Sequence, residues 1–291
     1  MEEMTLSLRE LMRNAATRLA ASFGEREASA MVDEMMWRIK GWNRTDTIIH
    51  GDESVTEFLA QQVESTIIQL LNGKPIQYIF GRAQFYGLDF SVSPATLIPR
   101  PETAQLVDII ADTYGKSPDL RVLELGTGSG CIAIALARTL HFPKDVTSVD
   151  ISEEAIDVAR QNAIDLNVNI KFICDDMLAI DLANRRLQGK YDIIVSNPPY
   201  IARFEALTME RNVLDYEPHI ALFVPDNDPL LFYRAIAQIA SERLNEKGTL
   251  FLEINPLFVK QLVALLRDNG FNDIDVVRDM QKAERFIIAK R

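Results

Sequence analysis

From Thr5 to Gly73 the apolar positions recur at three-and-four spacing, as in Leu8, Leu11, Met12, Ala15 and Leu19, and again in Phe58, Leu59, Val63, Ile67, Leu70 and Leu71. That period places one apolar stripe on each of several amphipathic helices. Gly24, Gly41-Trp42-Asn43, Gly51-Asp52 and Asn72-Gly73-Lys74-Pro75 interrupt it, which predicts a small all-α helical bundle over residues 1–74. Over residues 75–100 the pattern changes. Ile76 to Gly81 and Phe85 to Val92 are aromatic, β-branched and punctuated by glycine, so a β-hairpin connector is expected there.

A helix is predicted from about Pro101, since proline is tolerated in a first helical turn. Strands follow at Arg121 to Leu125, Asp145 to Val149, Ile170 to Cys174, Tyr191 to Ser196, Thr249 to Ile254, Asp273 to Val277 and Arg285 to Ala289. Helices are expected after the first two strands and around Leu230 to Leu244 and Phe258 to Asp268. Alternation of this kind builds a mostly parallel sheet covered on both faces. Residues 101–291 are therefore expected to form a doubly wound, seven-stranded α/β domain.

Composition agrees with one medium domain and one smaller one: 291 residues, 47% hydrophobic and 25% charged. Met1 to Arg13 mixes acids with bases, and no apolar run reaches the roughly 18 residues of a membrane span, so a cytoplasmic protein is expected. Cys131 and Cys174 lie in apolar surroundings, outside any CxxC pair or metal-ligand spacing; they read as buried thiols, and no metal is expected. The net charge of −11 opposes a duplex phosphate backbone. It argues against direct nucleic-acid binding and for a protein substrate; a monomer is expected, though not from the charge.

Chemistry first shows where a predicted strand turns into a predicted helix, in Val122-Leu123-Glu124-Leu125-Gly126-Thr127-Gly128-Ser129-Gly130-Cys131. Glycines there let the backbone approach a ligand closely. The dinucleotide fingerprint wants its last glycine at the sixth position, which is Cys131; glycine stands at the fifth instead. NAD is thereby disfavoured, and the missing Lys-Ser/Thr excludes a Walker loop. Asp150 ends the second strand, roughly 20 residues on, where a carboxylate can accept both hydroxyl hydrogens of a ribose. It could instead cap the next helix, but Ser152, followed by Glu153 and Glu154, serves as that cap. Of Asp175 and Asp176, at the end of the third strand, either could accept from an adenine amino group, with Met177 lying on the base.

The fourth strand runs into Asn197-Pro198-Pro199-Tyr200, at the carboxyl edge of the sheet where ligands bind in such folds. Two prolines fix the backbone, so the Pro198 carbonyl points in one direction at low entropic cost. An amide or aromatic amine nitrogen is a poor nucleophile, and two acceptors, Asn197 Oδ1 and the Pro198 carbonyl, would take its hydrogens, aim it and stabilise the growing positive charge. Pro199 completes the rigid turn, and Tyr200 could pack on the planar group. No base is demanded, so His50, His141 and His219 need no catalytic role.

The glycine loop preceded by an acid, here Glu124, resembles that of class I methyltransferases, which bind S-adenosylmethionine. Nearly the whole chain is similar to the protein-(glutamine-N5) methyltransferases that modify class I peptide chain release factors, the HemK/PrmC family. The likeness rests on the helical N-terminal region, Pro75 to Gly81, Ser93 to Thr103, the glycine loop, Asn197 to Tyr200, and Tyr216-Glu217-Pro218. Asn-Pro-Pro-Tyr alone is shared with adenine-N6 and guanine-N2 nucleic-acid methyltransferases; the stretch Leu97 to Thr103 narrows the choice. The resemblance implies that Gly126, Thr127, Gly128, Ser129, Gly130, Asp150 and Asn197 contact S-adenosylmethionine. It also implies that Asn197, Pro198, Pro199 and Tyr200 hold the glutamine of a Gly-Gly-Gln motif, while the helical domain helps dock the release factor. Met177 stands where relatives often carry tryptophan, and Glu253-Ile254-Asn255-Pro256 departs from the family's Glu-Ile-Gly. The alternatives at this point are a nucleic-acid enzyme, a ribosomal-protein glutamine methyltransferase and a non-catalytic protein that retains the fold.

Overall fold

The structure is a computed structural model that describes residues 6–179, 187 and 189–291. Packing divides the chain into two compact units, the first made of residues 1–80 and 211–216, the second of residues 81–210 and 217–291.

The first unit holds helices α1 (Leu8–Phe23), α2 (Glu25–Lys40), α3 (Arg44–Ile49) and α4 (Glu57–Leu71). Each break falls at a stop signal. Ser7 and Glu10 form a capping box at the start of α1, and Gly41 closes α2 in the left-handed conformation. Asn43 and Thr56 cap α3 and α4 through their side-chain oxygens. Leu8, Ala15, Leu19, Val32, Met35, Met36, Val63, Ile67 and Leu70 meet in the core, so the apolar stripes face one another.

One element differs from expectation. Ile76 to Phe80 is a short helix, α5, not a hairpin strand, with the Tyr78 and Ile79 amides donating to the Pro75 carbonyl. Its aromatic and β-branched content suggested a strand. The spacing of Ile76, Ile79 and Phe80, all of which pack on the bundle core, is helical. The hairpin begins later, from β1 (Arg82–Phe85) and β2 (Leu88–Ser91), joined by Tyr86-Gly87 with φ of 51° and 71°, the signs of a type I′ turn.

The rest of the second unit begins with α6 (Pro101–Tyr114), β3 (Arg121–Leu125), α7 (Cys131–Thr139), β4 (Asp145–Asp150), α8 (Glu153–Asp165), β5 (Lys171–Cys174) and β6 (Tyr191–Ser196). Then come β7 (Ile201–Ala202), α9 (Arg211–Tyr216, which packs in the first unit), α10 (His219–Leu222), β8 (Phe223–Val224) and α11 (Leu231–Arg243). The last elements are β9 (Leu244–Glu253), α12 (Val259–Asp268), β10 (Asp273–Arg278) and β11 (Glu284–Lys290). The main sheet has seven strands in the order β10-β11-β9-β6-β3-β4-β5, parallel from β9 through β5 and antiparallel at the β11 and β10 edge. This is the doubly wound class I methyltransferase fold. β9 starts at Leu244, ahead of the expected Thr249, because Leu244 pairs with Tyr191 before a shift in register.

Successive residues of the central strands bury on opposite faces. Val122, Ile193, Val195, Phe251 and Phe286 pack with α6 and α7, while Leu123, Ile194, Leu252 and Ile287 pack with α11 and α12. β3 is followed by β4 on one side, whereas β6 returns to its other side. The order reverses between β3 and β6, and loops diverge there to leave a crevice.

Candidate active site

A cavity of about 310 Å³ opens at that reversal point. Its floor is the loop after β3, where Gly126, Gly128 and Gly130 all have positive φ. At Gly126 a Cβ would stand 3.6 Å from the Asn197 carbonyl oxygen and 3.8 Å from Met177 Cε, so any side chain there would fill the space between the two candidate half-sites.

Three acids approach the cavity from the carboxyl ends of β3, β4 and β5. Glu124, fully buried, accepts from Ser148 Oγ at 2.5 Å, and Ser148 shares a further hydrogen bond of 2.6 Å with Thr127 Oγ1. Its other oxygen, Oε1, finds no partner among the described residues. Burial pushes the Glu124 carboxyl up to about 8, against the pull of Ser148. Asp150 accepts from the Gly128 amide at 2.9 Å and the Ser152 amide at 3.0 Å, and burial raises its pKa against these donors. Ser152 Oγ in turn accepts from Ala155 at 3.1 Å, so the serine caps α8. Each Asp150 oxygen keeps a lone pair for a ligand hydroxyl. Asp176 and Met177 line the cavity; Asp175 does not, and its carboxylate accepts from the Asp176 amide.

On the opposite wall β6 ends at Ser196, whose hydroxyl donates to the Leu125 carbonyl and stitches β6 to β3. Asn197 and Pro199 line the cavity, whereas the side chains of Pro198 and Tyr200, expected at the acceptor site, are not part of its lining. Asn197 Nδ2 donates to Thr103 Oγ1 at 3.2 Å, Thr103 Oγ1 donates to Glu253 Oε2 at 2.7 Å, and the Tyr200 hydroxyl donates to Glu253 Oε1 at 2.9 Å. Asn255 Nδ2 donates to the Tyr200 carbonyl at 3.0 Å and to Glu205 at 2.8 Å. Burial raises the pKa of Glu253, with Thr103, Tyr200 and Arg285 drawing it back, and burial beside Glu253 raises that of Tyr200. Leu97, Pro99 and Arg100 form the rim; Arg100 pairs at 2.6 Å with the buried Glu217, which also accepts from the Ile98 amide.

Thr103, Glu253, Asn255 and the Arg100–Glu217 pair had no assigned role in the sequence. An acid closing an apolar strand, as Glu253 closes Leu250 to Leu252, is the same signal that marked Glu124 and Asp150. The cysteines need a correction: Cys131 is half-buried with its thiol pushed up to about 12 by burial and by Glu124, but Cys174 is exposed. It ends β5, and an edge strand leaves apolar flanks uncovered. Among the described residues no cluster of three or more His, Cys, Asp or Glu could hold a metal, and no helix is long and apolar enough to cross a membrane.

Two family models match: a methyltransferase domain over residues 116–272 and a PrmC N-terminal domain over residues 10–81. The chain is 46% identical over 253 residues to a release factor glutamine methyltransferase of Bacteroides thetaiotaomicron, covering 86% of this chain and 88% of that one. It is 40% identical to the protein of the same name from Flavobacterium psychrophilum, covering 92% and 94%. Among solved structures, a methyltransferase from Pyrococcus furiosus, 18% identical, aligns over 78% of this chain and 98% of that one with a TM-score of 0.51, which bears on the fold alone. Identity of this extent, joined to both domain matches, makes the chain a member of the release factor glutamine methyltransferase family.

Proposed function

We propose that the protein transfers a methyl group from S-adenosylmethionine to the side-chain amide nitrogen, N5, of the glutamine in the Gly-Gly-Gln motif of class I peptide chain release factors. The observation that carries this reading is the meeting, across one cavity, of a glycine loop flanked by strand-end carboxylates with Asn197-Pro198-Pro199-Tyr200. The cavity suits the cofactor. Apolar Ile132, Met177 and Leu178 alternate with carboxylates, and Glu124 Oε1 is buried without a partner among the described residues, a cost that a ligand donor would remove.

Gly126, Thr127, Gly128, Ser129 and Gly130 would hold the amino-acid part with Glu124, Asp150 the ribose, and Asp176 with Met177 the adenine. S-adenosylmethionine, when bound, supplies a methyl group made electrophilic by its sulfonium. Asn197 Oδ1 and the Pro198 carbonyl accept the two N–H hydrogens of the glutamine amide, which aims its nitrogen and spreads the positive charge that grows on it. As the N–C bond forms the methyl C–S bond breaks, with S-adenosylhomocysteine as the leaving group, and the methylated nitrogen then loses one proton to water, so the chain needs no strong base. Tyr200, anchored by its hydroxyl to Glu253, keeps the turn rigid. The N-terminal helices serve in docking the release factor, a translation factor of the cytoplasm.

Mass spectrometry of a release factor after incubation with the enzyme and S-adenosylmethionine tests the reading. One methyl group on the Gly-Gly-Gln glutamine is expected. Label from the cofactor entering DNA or a ribosomal protein, with none in the release factor, would overturn it.

A further inference from the structure

The geometry points to Thr103 and Glu253 as positioning residues that decide which way the Asn197 carboxamide faces. Thr103 is buried at the start of α6, and its hydroxyl owns a single proton, which goes to Glu253 Oε2 at 2.7 Å. The oxygen can then only accept. Asn197 must present Nδ2 to it, as the 3.2 Å contact records, and this turns Oδ1 away from Thr103. With the amide reversed, two acceptors would face each other. Glu253 takes the Tyr200 hydroxyl on its other oxygen at 2.9 Å, so one buried carboxylate fixes both ends of Asn197-Pro198-Pro199-Tyr200. Thr103 also lines the cavity, but this role requires no contact with substrate from either residue. The role rests on the proposed methyl transfer, in which Asn197 Oδ1 accepts from the glutamine amide.

Thr103→Val keeps the buried volume and deletes the acceptor. It should lower kcat for release-factor methylation by about 100-fold, the cost of a small misplacement of a reacting group, with S-adenosylmethionine affinity and KM within about twofold. Thr103→Ser, which restores the hydroxyl, should recover most of kcat. Glu253→Gln lets the Thr103 hydroxyl reverse and should fall between the two; it also serves if Thr103→Val does not fold. Unchanged kcat in folded Thr103→Val, or in Glu253→Gln if it alone folds, would overturn the assignment. If the unaltered enzyme methylates no release factor, the functional reading fails, and the Asn197 side-chain amide protons decide the orientation separately. By NMR, slow solvent exchange that is lost in Thr103→Val supports it, whereas equal exchange in both proteins overturns it.

Discussion

At the scale of single residues the cavity separates groups that bind from groups that act. Asn197 commits its Nδ2 to Thr103, which turns Oδ1 away from that support. Asn197→Ala should leave S-adenosylmethionine affinity within about twofold by calorimetry and cut turnover about 100- to 1,000-fold, as loss of one preorganised polar group does elsewhere. Unchanged turnover would remove Asn197 from the chemistry. Glu124 has the opposite character, a carboxyl whose protonation is set by burial. Its folded pKa of about 8 lies above the ordinary 4.5, so across that window the unfolded chain has released a proton that the folded protein retains. Stability therefore falls as pH rises from about 4.5 to 8 and levels off above. Glu124→Gln is neutral throughout, so in urea titrations its midpoint should gain on the parent's as pH rises from about 5 to 8.5. A constant difference between the two midpoints would show that Glu124 does not titrate in this range.

At the scale of elements, capping assigns work between neighbours. Ser152 accepts from Ala155 and caps α8, while Asp150 spends its oxygens on the Gly128 and Ser152 amides. Ser152→Ala should cost about 1 kcal/mol in denaturant unfolding. A neutral result would mean that Asp150 carries the cap and is not reserved for a ligand. The strands were legible from sequence because Val122-Leu123, Ile193-Ile194-Val195 and Phe251-Leu252 are apolar on both faces, as a covered parallel sheet demands. The hairpin starts later than the aromatic and β-branched composition suggests because Ile76, Ile79 and Phe80 are spaced as a helix and pack on the bundle core. Of the site, the two loops were legible since each is continuous in sequence. Their support was not: Thr103 and Glu253 lie 150 residues apart, and only the placement of α6 against β9 joins them.

At the scale of the whole molecule, the crevice follows from the order of the strands. β3 and β6 are neighbours in the sheet but far apart in the chain, so the loop after each leaves in a different direction and the two walls face each other. The helical unit rests on a separate apolar cluster, centred on fully buried residues such as Leu19 and Met35, all of whose members belong to that unit. Leu19→Ala removes core volume there, with a cost of about 2–5 kcal/mol. Amide hydrogen exchange should accordingly quicken in α1, α2 and α4, leaving β3, β4 and β6 protected and S-adenosylmethionine affinity as in the parent. If the bundle docks the release factor, methylation by this variant should suffer in KM first, since the groups that aim the amide are intact. Equal loss of protection in β3 and β6, with cofactor affinity falling alongside, would show instead that the helical core sustains the catalytic fold and not the encounter with substrate.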